Sequence, residues 1–352
     1  MKSKIWLMEG LSSQRDIIQG IKAFADKLKT RIVVFASHRN ERNEILSVAD
    51  YALIEPKEAE QRLQFILDTV ARFDIDAIHT GRNSLWFEEN RAAIEASGAT
   101  LTTGATGLDW LTLSEDKVTF AQFMQQNSLP VVPSWRVDTL TELQTYLASP
   151  PFSDSPVCVK PVTGIYGMGF WRFDDTASPM DLFNHPENRI VTTQHYIAAA
   201  SCSESFKPLV LMPYLPGPEY SVDILADNGE ILAAVGRRKE GAIQYLDNEG
   251  EAFELACACA RTMKADGLVN VQTRNNHHGI PVLLETNMRP SGGVGYTLHS
   301  GVNLPGLFAA YKLGLMSKSD VIEHAKSSFS PAAVRSITDV ILYPERLTNR
   351  LN

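Results

Sequence analysis

Leu283-Leu284-Glu285-Thr286-Asn287-Met288-Arg289-Pro290 is the stretch on which the reading turns. Two apolar residues lead into Glu285 and Asn287, which stand two apart and so share one face of a strand. Upstream, Val269-Asn270-Val271-Gln272 alternates apolar and polar residues, and His277-His278-Gly279-Ile280 supplies a turn between the two runs. A turn centred on His278-Gly279 sets Gln272 opposite Glu285 and Asn270 opposite Asn287, beside Arg289. One carboxylate with two amide oxygens suits a hard cation such as Mg²⁺, which keeps waters and phosphate oxygens in its shell. The same residues also suit the polar, solvent-facing side of an edge hairpin, so the stretch alone leaves both readings open.

Further upstream, Val157-Cys158-Val159-Lys160-Pro161 is a strand that ends in a cation and runs into Thr163-Gly164-Ile165-Tyr166-Gly167-Met168-Gly169-Phe170. Three glycines in six residues let the backbone fold over phosphate oxygens and aim N–H groups at them. The spacing is neither a P-loop nor a dinucleotide fingerprint, and a plain glycine-rich hairpin tip fits it equally. Between these elements, Leu209-Val210-Leu211-Met212-Pro213-Tyr214-Leu215-Pro216-Gly217-Pro218-Glu219 is a strand, a Pro-Gly turn and the start of a second strand. Main-chain groups at Met212, Pro213, Tyr214 and Leu215 suit adenine edges and Glu219 suits ribose hydroxyls, against the simpler reading of a hairpin with an exposed Glu.

The first ~110 residues differ in pattern. Apolar runs at 5–8, 31–37, 51–54 and 75–79 alternate with helical stretches through about 28, 57–73 and 84–97, which implies βαβ units and a parallel sheet. Ligands collect at the carboxyl ends of such strands, where Glu9-Gly10 and Thr80-Gly81-Arg82-Asn83 fall; plain turns account for them as well. A helix is expected from Ser114, with Lys117 in its first turn. From Val157 onward the runs read as antiparallel strands, with a strong hairpin turn at Asp227-Asn228-Gly229-Glu230. The fold class is therefore α/β followed by α+β.

A net charge of −8 without a basic run argues against a nucleic-acid surface. No stretch approaches the ~20 apolar residues of a membrane span, and the start of the chain lacks the apolar run of a signal peptide. The four cysteines, at 158, 202, 257 and 259, have neither zinc nor disulfide spacing. They are expected to be reduced, and the location cytoplasmic.

Lys117, Lys160 with its glycine loop, the Tyr-Leu-Pro-Gly-Pro-Glu219 hinge and Gln272…Glu285-Thr-Asn287-Met-Arg289, in that order, resemble the signature of the ATP-grasp superfamily. The similarity is greatest to its carbamoyl-phosphate-synthetase-like branch of carboxylate–amine ligases. The resemblance implies an ATP-grasp fold: a parallel α/β pre-grasp domain (1–113), an N-terminal grasp subdomain with a lid (114–205) and a C-terminal grasp subdomain with the metal site (206–352). It implies that Lys117 and Lys160 hold ATP phosphates and that residues 163–170, with Thr163, Gly164, Gly167 and Gly169, form the lid. Met212 to Leu215 would hold adenine and Glu219 the ribose. Gln272, Glu285 and Asn287 would bind Mg²⁺, with Mn²⁺ as a substitute, and Arg289 would steady the transferring phosphoryl group. The implied activity is ADP-forming ligation of a carboxylate to an amine through an acyl phosphate; the alternative is an ATP-binding regulatory protein on the same fold. Relatives are often dimers, which makes a homodimer a further expectation. Arg237, Arg238 and Arg274 are expected to grip the substrate, because one run follows a central strand and Arg274 lies two residues beyond Gln272; a solvated edge is the other reading.

Overall fold

The computed structural model describes residues 3–11, 13–152, 155–164 and 167–343. They form two compact units. One comprises Met1–Thr112, Tyr220–Gln272 and Thr286–Asn352; the other comprises Leu113–Glu219 and Thr273–Glu285.

The first unit opens with strands β1 (Ser3–Met8), β2 (Ile32–His38), β3 (Tyr51–Ile54), β4 (Ala77–Thr80) and β5 (Thr100–Thr102), ordered β3-β2-β1-β4-β5 with parallel pairing throughout. Every residue of β2 is buried, as expected for a parallel strand covered on both faces. Helix α1 (Gln14–Lys27) buries Ile17, Ile18, Ile21, Phe24 and Ala25, the stripe that a 3.6-residue period places on one side. The helical pattern at 84–97 proves to be two helices, Ser84–Glu89 and Arg91–Ala96, meeting at Asn90. The short β6 (Gly104–Ala105) follows.

The second unit holds a five-stranded sheet of β7 (Trp135–Val137), β8 (Val157–Pro161), β9 (Trp171–Phe173), β10 (Ile190–Val191) and β11 (Leu209–Pro213), ordered β10-β9-β8-β11-β7. The purely antiparallel pattern expected after Val157 has one exception here, since β9 and β10 run parallel. The helix expected from Ser114 is divided: Ser114 falls at the end of a helix over Leu108–Glu115, and a new one begins at Lys117, where Asp116 caps it by accepting from the N–H groups of Val118 and Thr119.

The rest of the first unit is a sheet of β12 (Glu219–Asp227), β13 (Glu230–Glu240), β14 (Ile243–Asp247), β15 (Ala265–Asn275), β16 (Pro281–Asn287) and β17 (Ala332–Arg335), ordered β16-β15-β12-β13-β14-β17 with β6 beside β15. The tip of the β15–β16 hairpin belongs to the second unit. Asn228 and Gly229 both have positive φ, 48° and 87°, which is the mirror-image turn a two-residue hairpin needs. Helix α1 is docked within this unit by Asn303, whose Nδ2 donates to Gly20 O at 2.8 Å, and Gly306 lets Phe24 approach its backbone. No helix among the described residues is long and apolar enough to cross a membrane. The four cysteines are free thiols; Cys158, Cys257 and Cys259 are buried and Cys202 is exposed.

Candidate active site

Lys160 occupies the fourth position of β8, and its side chain is buried 3.6 Å from the Glu285 carboxylate. Both residues belong to the second unit. Loss of water pushes the Lys160 ammonium below the usual lysine range, Glu285 pulls it partly back, and Lys117 pushes it down again. Lys117, in the first turn of its helix, donates from Nζ to Val162 O and Gly164 O, both at 3.3 Å. Burial lowers its affinity for a proton too, with Glu285 opposing. Two partly dehydrated ammonium groups thus share one carboxylate, and their attraction for a further anion is poorly screened.

The glycine loop leaves β8 from Lys117's partners. Gly167 and Gly169 have φ of 63° and 75°, which a side chain would strain, and a Cβ on Gly169 would meet the Pro161 ring at 2.7 Å. Thr163 and Gly164 are exposed beside them. Ile165 and Tyr166, expected in the lid, lie outside the described residues.

The hinge lies in the same unit. Met212, Leu215, Val132, Cys158 and Val282 form a buried apolar cluster flanked by Phe170, Tyr214 and Leu284. Pro213 has no N–H to give, and that of Tyr214 is donated to Pro156 O at 2.8 Å. Since main-chain groups of an antiparallel strand alternate between neighbours, the Pro213 carbonyl points away from β8. Toward that side β7 has not yet begun, as it starts at Trp135. Leu215 N–H has no partner among the described residues. The hinge therefore offers one carbonyl and one N–H two residues apart beside an apolar cluster. Glu219 opens β12.

Arg274 sits here as well. Its Nε donates to Gly217 O at 3.1 Å and its guanidinium lies 5.6 Å from the Tyr214 ring, while Arg172 lies 4.9 Å from that ring. The Nε of Arg274 braces the hinge, and a substrate-gripping role for the rest of its guanidinium stays a proposal.

In the first unit, Asn287 Oδ1 accepts from Arg289 Nη2 at 3.1 Å. Along β16, Thr286 is buried while Glu285 and Asn287 are partly accessible; along β15, Gln272 is partly accessible between buried Val271 and Thr273. The three expected metal ligands thus occupy the more open sides of their strands, and their oxygen donors fit Mg²⁺. Asn270 is fully buried and donates to Ser221, Val222 O and Asp223, which takes it out of any such set.

Arg237 overturns its expectation. It is 3% exposed, and its guanidinium donates to Asp223 Oδ2 (2.8 Å), Gln244 Oε1 (2.7 Å), Ser221 Oγ (2.9 Å) and Ser291 Oγ (2.8 Å). A guanidinium so committed is an internal strut, with no donor fork to offer a substrate. Arg238, on the other face of β13, pairs with Glu240 and lies 4.7 Å from the Tyr245 ring.

Comparison with solved structures bears on this arrangement. A carboxyaminoimidazole ribonucleotide synthase from Aspergillus clavatus, solved with ATP, superposes with a TM-score of 0.63 at 16% identity, covering 91% of this chain and 79% of its own. The chain has the ATP-grasp fold. An L-amino acid ligase from Bacillus licheniformis shares the ATP-grasp arrangement at a TM-score of 0.60 and 17% identity, over 94% of this chain and 79% of that one. Residues 205–339 match a family model described as ATP-grasp in the biosynthetic pathway with Ter operon. The carbamoyl phosphate synthase large chain of Thermomicrobium roseum is 25% identical over 274 residues, 68% of this chain; the chain spans about a quarter (23%) of that relative's length.

Sequence reasoning missed several parts of this arrangement. The Asp116 cap carries a local signal, an acidic residue just before a helical run. The Asp223–Arg237–Ser291 network carries none, because its members are far apart in sequence and meet only in the folded chain.

Proposed function

We propose that this ATP-grasp chain is an ATP- and Mg²⁺-dependent ligase that activates a carboxylate as an acyl phosphate and couples it to an amine, releasing ADP and phosphate. The observation that carries this reading is the Lys117–Lys160–Glu285 cluster at the root of the glycine loop. Two dehydrated ammonium groups sharing one carboxylate form a poor structural ion pair, because removing charges from water costs more than a shared partner returns. A polyphosphate would complete the charge balance.

On this reading the hinge carbonyl of Pro213 and N–H of Leu215 hold adenine against the Met212 cluster, and Glu219 takes the ribose. Thr163, Gly164, Gly167 and Gly169 lie over the phosphates. Glu285, Asn287 and Gln272 would hold Mg²⁺, which supplies charge neutralisation at the phosphate oxygens. Lys117, Lys160 and Arg289 stabilise charge spreading over the transferring phosphoryl group. Exclusion of water protects the acyl phosphate until the amine displaces phosphate. The three-part division 1–113, 114–205 and 206–352 belongs to the same proposal.

The test is ADP and phosphate release from Mg²⁺-ATP over mixtures of carboxylates and amines, with Glu285→Gln as control. Release that requires both substrates and disappears in the variant supports the ligase. AMP as the product would overturn the acyl-phosphate route.

A further inference from the structure

The last strand of the C-terminal sheet stands at its edge. Among the described residues β17 pairs only with β14, with Arg335 opposite Ile243 and Ala332 opposite Leu246. Every second residue of such a strand turns its N–H and C=O away from the partner, so β17 presents an open row of donors and acceptors. Ala332 and Val334 pack on the core, while Ala333 and Arg335 are exposed. The chain then runs on from Ser336 to Tyr343 without a turn or a bend. It is tied again at its far end, where Asn43 Nδ2 donates to Leu342 O at 2.9 Å and Asn43 N–H to the Tyr343 hydroxyl at 2.8 Å. Between the two ties, no main-chain group of residues 336–341 bonds another among the described residues.

This stretch is apolar and uncovered. Ile337, Val340 and Leu342 are 86%, 89% and 88% exposed, a surface of the kind that marks an interaction site. Residues 332–343 are rich in Val, Ile and Thr, which suit a strand. They include neither Pro nor Lys, the residues that most often stop an edge from pairing. The two charges present, Arg335 and Asp339, are of opposite sign and lie two residues either side of Ile337. Asp339 Oδ1 accepts from the Val340 N–H at 2.8 Å, and neither side chain forms an ion pair among the described residues. Charges of one sign would repel a second copy, but this pair is matched to itself. With a second copy antiparallel about Ile337, each Arg335 faces the other copy's Asp339 and each Val334 the other's Val340. Centring on Ser336 or Thr338 instead puts Arg335 against Ile337 or Ile341 and loses both ion pairs. A slip of one residue sets core-side residues against outer ones.

We propose that residues 332–343 are the strand through which two copies of this chain pair, antiparallel and centred on Ile337, joining their C-terminal sheets into one. Ladder hydrogen bonds supply the attraction. The two Arg335–Asp339 pairs fix the register, and Val340 and Leu342 gain cover from Val334 and Ala332 of the other copy. Each copy contributes the same patch, as a two-fold contact requires. The edge is narrow, so the dimer belongs to the weak, concentration-dependent class. Pairing needs neither ATP nor turnover and stands apart from the ligase reading.

The experiment is sedimentation velocity of the full chain over a series of micromolar concentrations at low salt, where exposed ion pairs are least screened. A monomer–dimer equilibrium is expected. Arg335→Asp sets like charges opposite each other twice, and Asp339→Arg does the same, so each should weaken association by about tenfold or more. The two changes combined exchange the partners and should restore it, a recovery that only this register gives. Both positions are exposed, and an unchanged melting temperature checks that each variant folds. Ile337→Lys, which brings two ammonium groups together at the axis, is an independent probe and should leave a monomer. A chain monomeric at every concentration overturns the proposal. So does a dimer that neither single change nor Ile337→Lys weakens, or one that the double exchange fails to restore.

Discussion

Two buried charge clusters, one in each unit, handle their cations in opposite ways. Around Arg237 four acceptors, Asp223, Gln244, Ser221 and Ser291, take four of the five guanidinium hydrogens, and Asn270 binds the other Asp223 oxygen. Around Lys160, two ammonium groups lean on the Glu285 carboxylate, and Lys117 has two carbonyl oxygens and the more distant pull of Asp116 besides. A network whose cation is paired on every side is a structural device, even with Asn270 Oδ1 left without a partner among the described residues. One left short of negative charge is suited to a ligand that brings its own. Four substitutions probe this contrast.

The largest effect is expected at the filled network. Arg237→Ala leaves Asp223, 1% exposed, as an uncompensated buried charge. Loss of one partner from a buried pair costs about 3–5 kcal/mol. Urea denaturation should show that loss as a lower midpoint. Ser291 Oγ, which also accepts from Gly293 N–H, would lose its hold on the segment just after Arg289. A midpoint within the wild-type error would mean that the network is ornamental and the contrast false.

At the unfilled cluster the expected effect falls on chemistry. Lys160→Met keeps most of the side chain's bulk and removes a buried ammonium whose ionisation is already disfavoured, so stability should hold or rise. ADP release should fall by about 10²–10³-fold, the usual loss when one preorganised donor to developing charge is removed. If Lys160→Met instead unfolds the chain and spares turnover, the roles of the two clusters are reversed.

The difference between the clusters also explains what was legible beforehand. The glycine loop, Lys160, the Pro-Gly hinge and the Glu285-Thr286-Asn287 alternation are short segments whose chemistry is written locally. Their strands duly appear as β8, β11 and β16, within a residue or two of the expected runs. The N-terminal parallel sheet was readable for the same reason, since long apolar runs between helical stretches admit few alternatives. The role of Arg237 was not readable. Whether an arginine at a strand end faces solvent or three acceptors on other strands is set by pairing partners 14 and 54 residues away. The bond of Arg274 to the hinge was equally unreadable, because its partner Gly217 lies 57 residues upstream. Several short elements, β7, β10, β14 and β17, gave no clear run because they have only two to five residues.

A third, smaller effect comes from a carboxylate with neither kind of arrangement. Asp247 pairs across the ladder with Gly236, and its Oδ1 is buried without a partner. Burial raises its pKa to about 6, against the opposing pull of Arg238. The native state thus holds a proton that the unfolded chain has lost, and stability is full below the unfolded value near 3.8 and declines as pH rises toward 6. A shift of this size corresponds to about 3 kcal/mol at most, and partial exposure reduces that to about 1 kcal/mol. Asp247→Asn should flatten the stability profile between pH 4 and 6 and raise the denaturation midpoint at neutral pH by that amount. An unchanged slope would show that the carboxylate is hydrated.

The smallest effect is expected at Arg238, and it tests what becomes of the substrate-gripping reading once Arg237 is accounted for. Adjacent strand residues face opposite ways, so Arg237 lies inward on the filled network and Arg238 outward against Tyr245 and Glu240. An exposed pair and an exposed cation–π contact are each worth roughly 0.5 kcal/mol or less here, and Arg238→Ala should cost less than about 1 kcal/mol. If the outward face is only a solvated edge, KM for both substrates stays unchanged in that variant. A rise in KM for the carboxylate alone, with kcat and the denaturation midpoint held, would restore Arg238 as a substrate contact. It would also show that a charge on an open rim can serve recognition without the shortage of partners that marks Lys160.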